Sequence, residues 1–110
     1  MTEQLALDLS PLASPEIEKG LSLAEKYRIW IAANPHVLDV FEALAEPRIR
    51  AGKRVGAKAL AERVRWESAL RTKGDPWRIN NNHVAFIARD LIKRRPEWAD
   101  AFETRHQRAV

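Results

Sequence analysis

The chain has no cysteine at all. That excludes a disulfide framework and any thiolate metal site. It fits a reducing cytosol, where thiol cross-links are rare. Long apolar runs are missing too, and nothing approaches the roughly 20 residues of a membrane span. No basic segment followed by an apolar one stands near the N-terminus, so no secretory signal is expected. Glycine is scarce, at four residues, and β-branched residues are few beside the many Ala and Leu. Strand signals are correspondingly weak. The expectation is a cytoplasmic protein, nucleoid-associated if it binds DNA, with no membrane contact.

What is present points to one packed helical unit. The 110 residues are 45% hydrophobic and 31% charged. That is the size and balance of one folded domain rather than a disordered chain. The net charge of +4 hides a partition. Residues 1–46 hold three basic and eight acidic side chains, a net of −5. Residues 47–110 hold 16 basic and seven acidic ones, a net of +9. Such asymmetry suggests a basic face for a polyanion, carried on a more neutral scaffold.

Apolar spacing of three and four runs through most of the chain. Ser14-Pro15-Glu16 suits a short helix start, with Pro at its first position. Ser22-Leu23-Ala24-Glu25 is a capping box. It opens a helix with the stripe Leu23, Tyr27, Trp30 and Ile31. Asn34-Pro35 closes that helix and starts the next, with Asn as cap. The second stripe is Val37, Val40, Phe41 and Leu44; Pro47 kinks or restarts this helix and Gly52 stops it. Lys53-Arg54-Val55 reads as a short extended link before a helix beginning at Ala57, with Leu60 and Val64 inward. Lys73-Gly74-Asp75-Pro76 is a turn. A further helix starts near Asn81 or Asn82, with Val84, Ile87, Ala88 and Leu91 inward. Pro96 ends it, and Glu97 to His106 reads as a last short helix with Trp98 and Phe102 inward.

The expected fold is therefore all-α. It has five or so short helices around a helix-turn-helix, winged-helix-like core at about residues 35–95, with the wing short or absent. Residues 1–13 form a flexible arm and residues 14–110 a single helical domain. One departure from a standard helix-turn-helix is the long link from Thr72 to Asn80.

Asn80-Asn81-Asn82-His83 opens a helix in the most basic stretch. Asn caps helices, and it also pairs both polar atoms with an adenine edge. At about 100° per residue, the side opposite the apolar stripe carries Asn82, Phe86, Arg89 and Lys93. Asn81, Asn82, Phe86, Arg89 and Lys93 are thus the candidate base-reading set. Arg and Lys suit guanine or phosphate, and an exposed Phe suits a thymine methyl. Lys53, Arg54, Lys58, Arg78, His83, Arg94 and Arg95 are the phosphate candidates. The structural alternative is a turn, a cap and ordinary solvated cations. A homodimer is compatible, because two-fold pairing lengthens the short site one helix reads. Double-stranded DNA is the expected partner, and a phage-type or bacterial regulator or accessory factor the expected role.

Catalysis has little support. His36, His83 and His106 have no metal-ligand partners at helical spacing, and metal sites generally need three or four ligands. Glu62, Glu67, Asp75 and Asp90 follow no spacing that demands a carboxylate site. No phosphate-binding glycine loop or nucleophile elbow occurs. The expectation is a non-enzyme without metal or cofactor. Trp30, Trp66 and Trp98 read as core anchors. Trp77, in the loop segment Pro76-Trp77-Arg78, is the tryptophan expected to stack on a partner.

Two resemblances add to this. Asn34-Pro35-His36-Val37, Gly56-Ala57-Lys58-Ala59, Arg63-Val64-Arg65-Trp66, Ile79-Asn80-Asn81-Asn82-His83, Ala88-Arg89 and Phe102-Glu103-Thr104-Arg105 carry the first. Over residues 34–105 the chain resembles a group of small uncharacterised phage and prophage proteins, which implies a mobile-element or bacterial regulatory setting. The second rests on Gln4-Leu5-Ala6-Leu7-Asp8-Leu9. This segment resembles the QLxLxL peptide that docks extended on the bacterial DNA sliding clamp, its leucines filling an apolar groove. It implies clamp binding through Gln4, Leu5, Leu7 and Leu9. The alternatives to DNA binding are therefore a clamp-binding module or an inhibitor of a host complex; equally, those leucines could fold back onto the helices.

Overall fold

The computed structural model describes residues 7–103. Four α-helices dominate: α1 (Leu23–Ala33), α2 (His36–Arg50), α3 (Ala57–Arg71) and α4 (Asn81–Arg94). A 3-10 turn at Pro96–Trp98 and two short strands, β1 (Val55–Gly56) and β2 (Phe102–Glu103), complete the described elements. The all-α reading holds, with one α-helix fewer than five.

Each boundary has a local cause. The Ser22 hydroxyl accepts from the Glu25 amide at 3.1 Å, and the Glu25 carboxylate accepts from the Ser22 amide at 2.9 Å. Both orphan donors of the first turn are thereby satisfied. Asn34 does not cap α2 with its side chain. Pro35 holds the N-cap position, and the Asn34 carbonyl accepts from Val37. The Asn34 amide, fully buried, is instead committed to the arm. It accepts from the Ala13 amide at 2.7 Å and donates to the Ala13 and Trp30 carbonyls, each at 3.0 Å. α2 runs through Pro47 without restarting. It ends where Gly52 takes φ +82, a left-handed conformation that glycine adopts without a Cβ clash.

Ser14-Pro15-Glu16 starts no helix. Residues 7–18 form no regular element. Backbone polar groups at Ser10 and Ala13 are taken by side chains of the helical body, which helical pairing would forgo. Leu7, Leu9 and Leu12 pack against the core.

α2, α3 and α4 pack mutually, and α1 lies against α4. Tyr27, Val37, Val40, Phe41, Val64, Ile87 and Leu91 are buried at the centre. All four inward positions expected on α4 are buried, as are Leu60 and Val64 on α3. Leu23, assigned to the α1 stripe, is exposed.

The order α2, β1, α3, α4 matches helix, strand, helix, helix, with no hairpin wing among the described residues. The final segment departs from expectation. Only Pro96–Trp98 is helical, as a 3-10 turn. Phe102 and Glu103 then pair in parallel with Val55 and Gly56, and the Val55 amide donates to the Ala101 carbonyl at 2.8 Å. Val55 and Phe102 are both buried. Burying this pair meets the backbone hydrogen-bonding demand of a segment that a continued helix would have carried elsewhere. Thr104 to His106 lie outside the described residues.

Candidate nucleic-acid interface

α4 begins with a side-chain cap. The Asn80 Oδ1 accepts from the Asn82 amide at 2.8 Å, so Asn80 is occupied by architecture. Asn81 and Asn82 are exposed and make no side-chain hydrogen bond among the described residues. Asn82, Arg89 and Lys93 fall within about 20° of one line along the helix. All three are exposed.

Phe86 does not belong to that open line. It is half-buried and stacks on Tyr27, with ring centroids 5.2 Å apart and planes 17° apart. The helix α1 thus covers one flank of α4. Phe86 cannot meet a thymine methyl while it packs there. It instead supports Arg89, whose guanidinium lies 5.4 Å from the Phe86 ring centroid.

Beneath this flank lies a polar cluster. The buried Tyr27 hydroxyl donates to Asp90 at 2.6 Å, and Arg28 approaches the same carboxylate at 3.4 Å. Burial, then the hydrogen bond to Asp90, pushes the Tyr27 phenol well above its ordinary acidity range. His83, a phosphate candidate, is buried between aromatic rings. Its ring centroid lies 4.8 Å from that of Trp30 and 5.5 Å from that of Tyr27. Its Nδ1 has no hydrogen-bond partner among the described residues. Burial holds its pKa below the ordinary 6.5, so the neutral ring is favoured. A neutral, enclosed imidazole reaches no phosphate.

Arg94 and Arg95 are also committed internally. Arg94 bridges Asp39 and Glu42, both at 2.9 Å. Arg95 contacts Glu97 at 2.8 Å, Glu42 at 3.2 Å and Glu46 at 3.5 Å, and its guanidinium lies over Trp98. These two arginines pin the end of α4 to the acidic face of α2. On α3, Glu67 is clamped by Arg63 at 3.0 Å and Arg71 at 2.8 Å. Burial raises the Glu67 pKa, but the two arginine hydrogen bonds outweigh it and leave it below the ordinary 4.5.

The structure therefore sorts the cations. Lys53, Arg54, Lys58, Arg78, Arg89 and Lys93 are exposed, and among the described residues none of them makes an ion pair. Lys53, Arg54 and Lys58 surround the start of α3, whose N-cap, Gly56, offers no side-chain hydrogen bond. Three acidic groups of the basic half are held by neighbours: Glu67 by Arg63 and Arg71, Asp90 by Tyr27 and Arg28, and Glu97 by Arg95.

The tryptophans exchange roles. Trp77 is 4% exposed. Its indole N–H donates to the Ser10 carbonyl at 3.1 Å, its amide donates to the Ser68 hydroxyl at 2.9 Å, and its ring meets His36 edge-on. It walls an open cleft of about 600 Å³ between the arm and the Thr72–Arg78 loop. Trp66, expected in the core, is 65% exposed, and Leu70 beside it is 68% exposed. Helix geometry carried that signal. Trp66 stands about 200° from the inward Val64, on the opposite face of α3.

Of the arm residues, Leu7 and Leu9 are half-buried against the core. Gln4 and Leu5 lie outside the described residues. An extended clamp peptide would require Leu7 and Leu9 to leave their present packing. Among the described residues no cluster of three or more His, Asp or Glu could hold a metal, and no helix is long and apolar enough to cross a membrane.

No protein-family model, curated protein or solved structure matches this chain.

Proposed function

We propose that the protein is a non-enzymatic double-stranded DNA-binding protein that presents the exposed line of α4 to the groove. The single observation carrying this is the separation of its cations. Acidic partners neutralise the arginines that tie α4 to α2, while Asn82, Arg89 and Lys93 stay exposed along one line, and Lys53, Arg54, Lys58 and Arg78 make no ion pair among the described residues. Asn82 suits an adenine edge, and Arg89 suits guanine N7 and O6 or a phosphate. The unpaired cations at the start of α3 and in the loop before α4 suit backbone phosphates, which position a protein without reading sequence. A phage-type or bacterial regulator or accessory factor is the role proposed.

The test is a salt titration of binding to random duplex DNA. Affinity falls with log salt at a slope of about −0.9 per phosphate neutralised. Replacing Lys53 and Lys58 with Gln together lowers that slope without lowering Tm. Arg89→Ala weakens binding to a selected site by about 1–3 kcal/mol if it reads a base. An equal loss on every sequence moves Arg89 to the phosphate group. No binding even at low salt overturns the proposal.

A further inference from the structure

The face of α3 that carries Trp66 and Leu70 is used neither by the core nor by the α4 line. Relative to Trp66, Ala59 stands at about 20°, Leu70 and Glu62 at about 40° on opposite sides, and Ala69 at about 60°. The face thus centres on Trp66 and Leu70, with the small Ala59 and Ala69 on it and Arg63, held by Glu67, about 60° away on the side of Leu70. Its two charged ends have opposite sign. Glu62 lies one turn before Trp66, and Lys73 lies two residues past Arg71, where the chain leaves the helix through the extended Thr72. Both are exposed, and among the described residues neither makes an ion pair.

We infer that this face pairs with the same face of a second copy of the chain, α3 antiparallel to α3. The pattern is self-complementary in that orientation. With the dyad between Glu67 and Ser68, Trp66 of each copy lies over Ala69 of the other, a large ring against a small side chain, and Leu70 lies level with the aliphatic stem of the exposed Arg65. Glu62 then lies level with the partner's helix end, within reach of the long Lys73 side chain just beyond it, and symmetry makes each pair twice, as an isologous interface requires. A parallel arrangement would set Glu62 on Glu62 and lose both pairs. Two copies would bury a pair of tryptophans that, singly, leave one contiguous apolar patch in water. A single helix pair sits at the small end of stable interfaces, so a weak, concentration-dependent association is expected. The inference does not rest on DNA binding.

Sedimentation velocity of the full chain across the micromolar range tests it. A concentration-dependent dimer is expected. Trp66→Glu and Leu70→Glu give monomers with unchanged helical circular dichroism, because both side chains are already in water in the single chain. Glu62→Lys weakens the dimer about tenfold by placing like charges opposite each other. Adding Lys73→Glu to that variant restores the wild-type dissociation constant. Only a partner that is the same chain produces this restoration. A monomer at every concentration overturns the inference, as does a dimer that persists in Trp66→Glu, a double swap that fails to restore, or capture of a different protein by a monomeric chain.

Discussion

His83 occupies the third position of α4, yet it faces inward between Tyr27 and Trp30. Its buried Nδ1 has no partner among the described residues, so a charge on the ring would go uncompensated there. The rings packed on it from α1 are Tyr27 and Trp30, and Asp90 on its own helix is already taken by the Tyr27 hydroxyl and Arg28. Burial holds the folded pKa below the ordinary 6.5, which the unfolded chain recovers. Below that value the unfolded state binds more protons than the folded one, so stability falls as pH drops through about 6.5. Tm measured from about pH 8 to about pH 5 should fall accordingly, and His83→Phe should flatten the dependence. An unchanged pH profile in that variant would place the titration elsewhere. Among Asn80, Asn81 and Asn82, residue identity in the sequence leaves cap and reader indistinguishable. Three neighbouring asparagines all satisfy both roles, and only the Asn80–Asn82 hydrogen bond separates them.

At the scale of the element, α4 has two separable ends. Its start depends on the Asn80 cap, so Asn80→Ala should cost about 1 kcal/mol in chemical denaturation. Asn82→Ala should leave stability nearly unchanged and weaken DNA binding, because that side chain does no structural bonding among the described residues. Equal destabilisation by both would assign the whole run to architecture. The end of α4 depends on Arg94 and Arg95, held by three carboxylates of α2. This explains why a charge count overstated the working face. Periodicity places Arg94 and Arg95 beside Lys93, but the pairing acids come from a helix some fifty residues earlier in the chain. α3 teaches the reverse lesson. Trp66 was legible as outward from its angle to Val64, and hydropathy alone suggested the core. The helices themselves were readable because capping, turns and apolar spacing are local signals.

For the whole molecule, the β1–β2 pair closes the fold. It joins Val55 to Phe102 across all of α3 and α4. Phe102 is 1% exposed, so Phe102→Ala should cost about 3–5 kcal/mol by urea denaturation. A loss under 1 kcal/mol would mean the end of the chain is not part of the cooperative unit. The arm is tied in the same non-local way, through Asn34 and Trp77. Two-residue strands carry no alternation for a sequence pattern to reveal, and a loop tryptophan shows no sign of the arm that will cover it. By itself the sequence determined the four α-helices, most of their inward stripes and the excess of positive charge, because these follow from neighbours within a turn or two. Tertiary structure alone decided which cations stay free, which tryptophan is buried and which flank of α4 is covered by Tyr27. Those outcomes depend on partners tens of residues away, whose positions are set by packing rather than by local propensity.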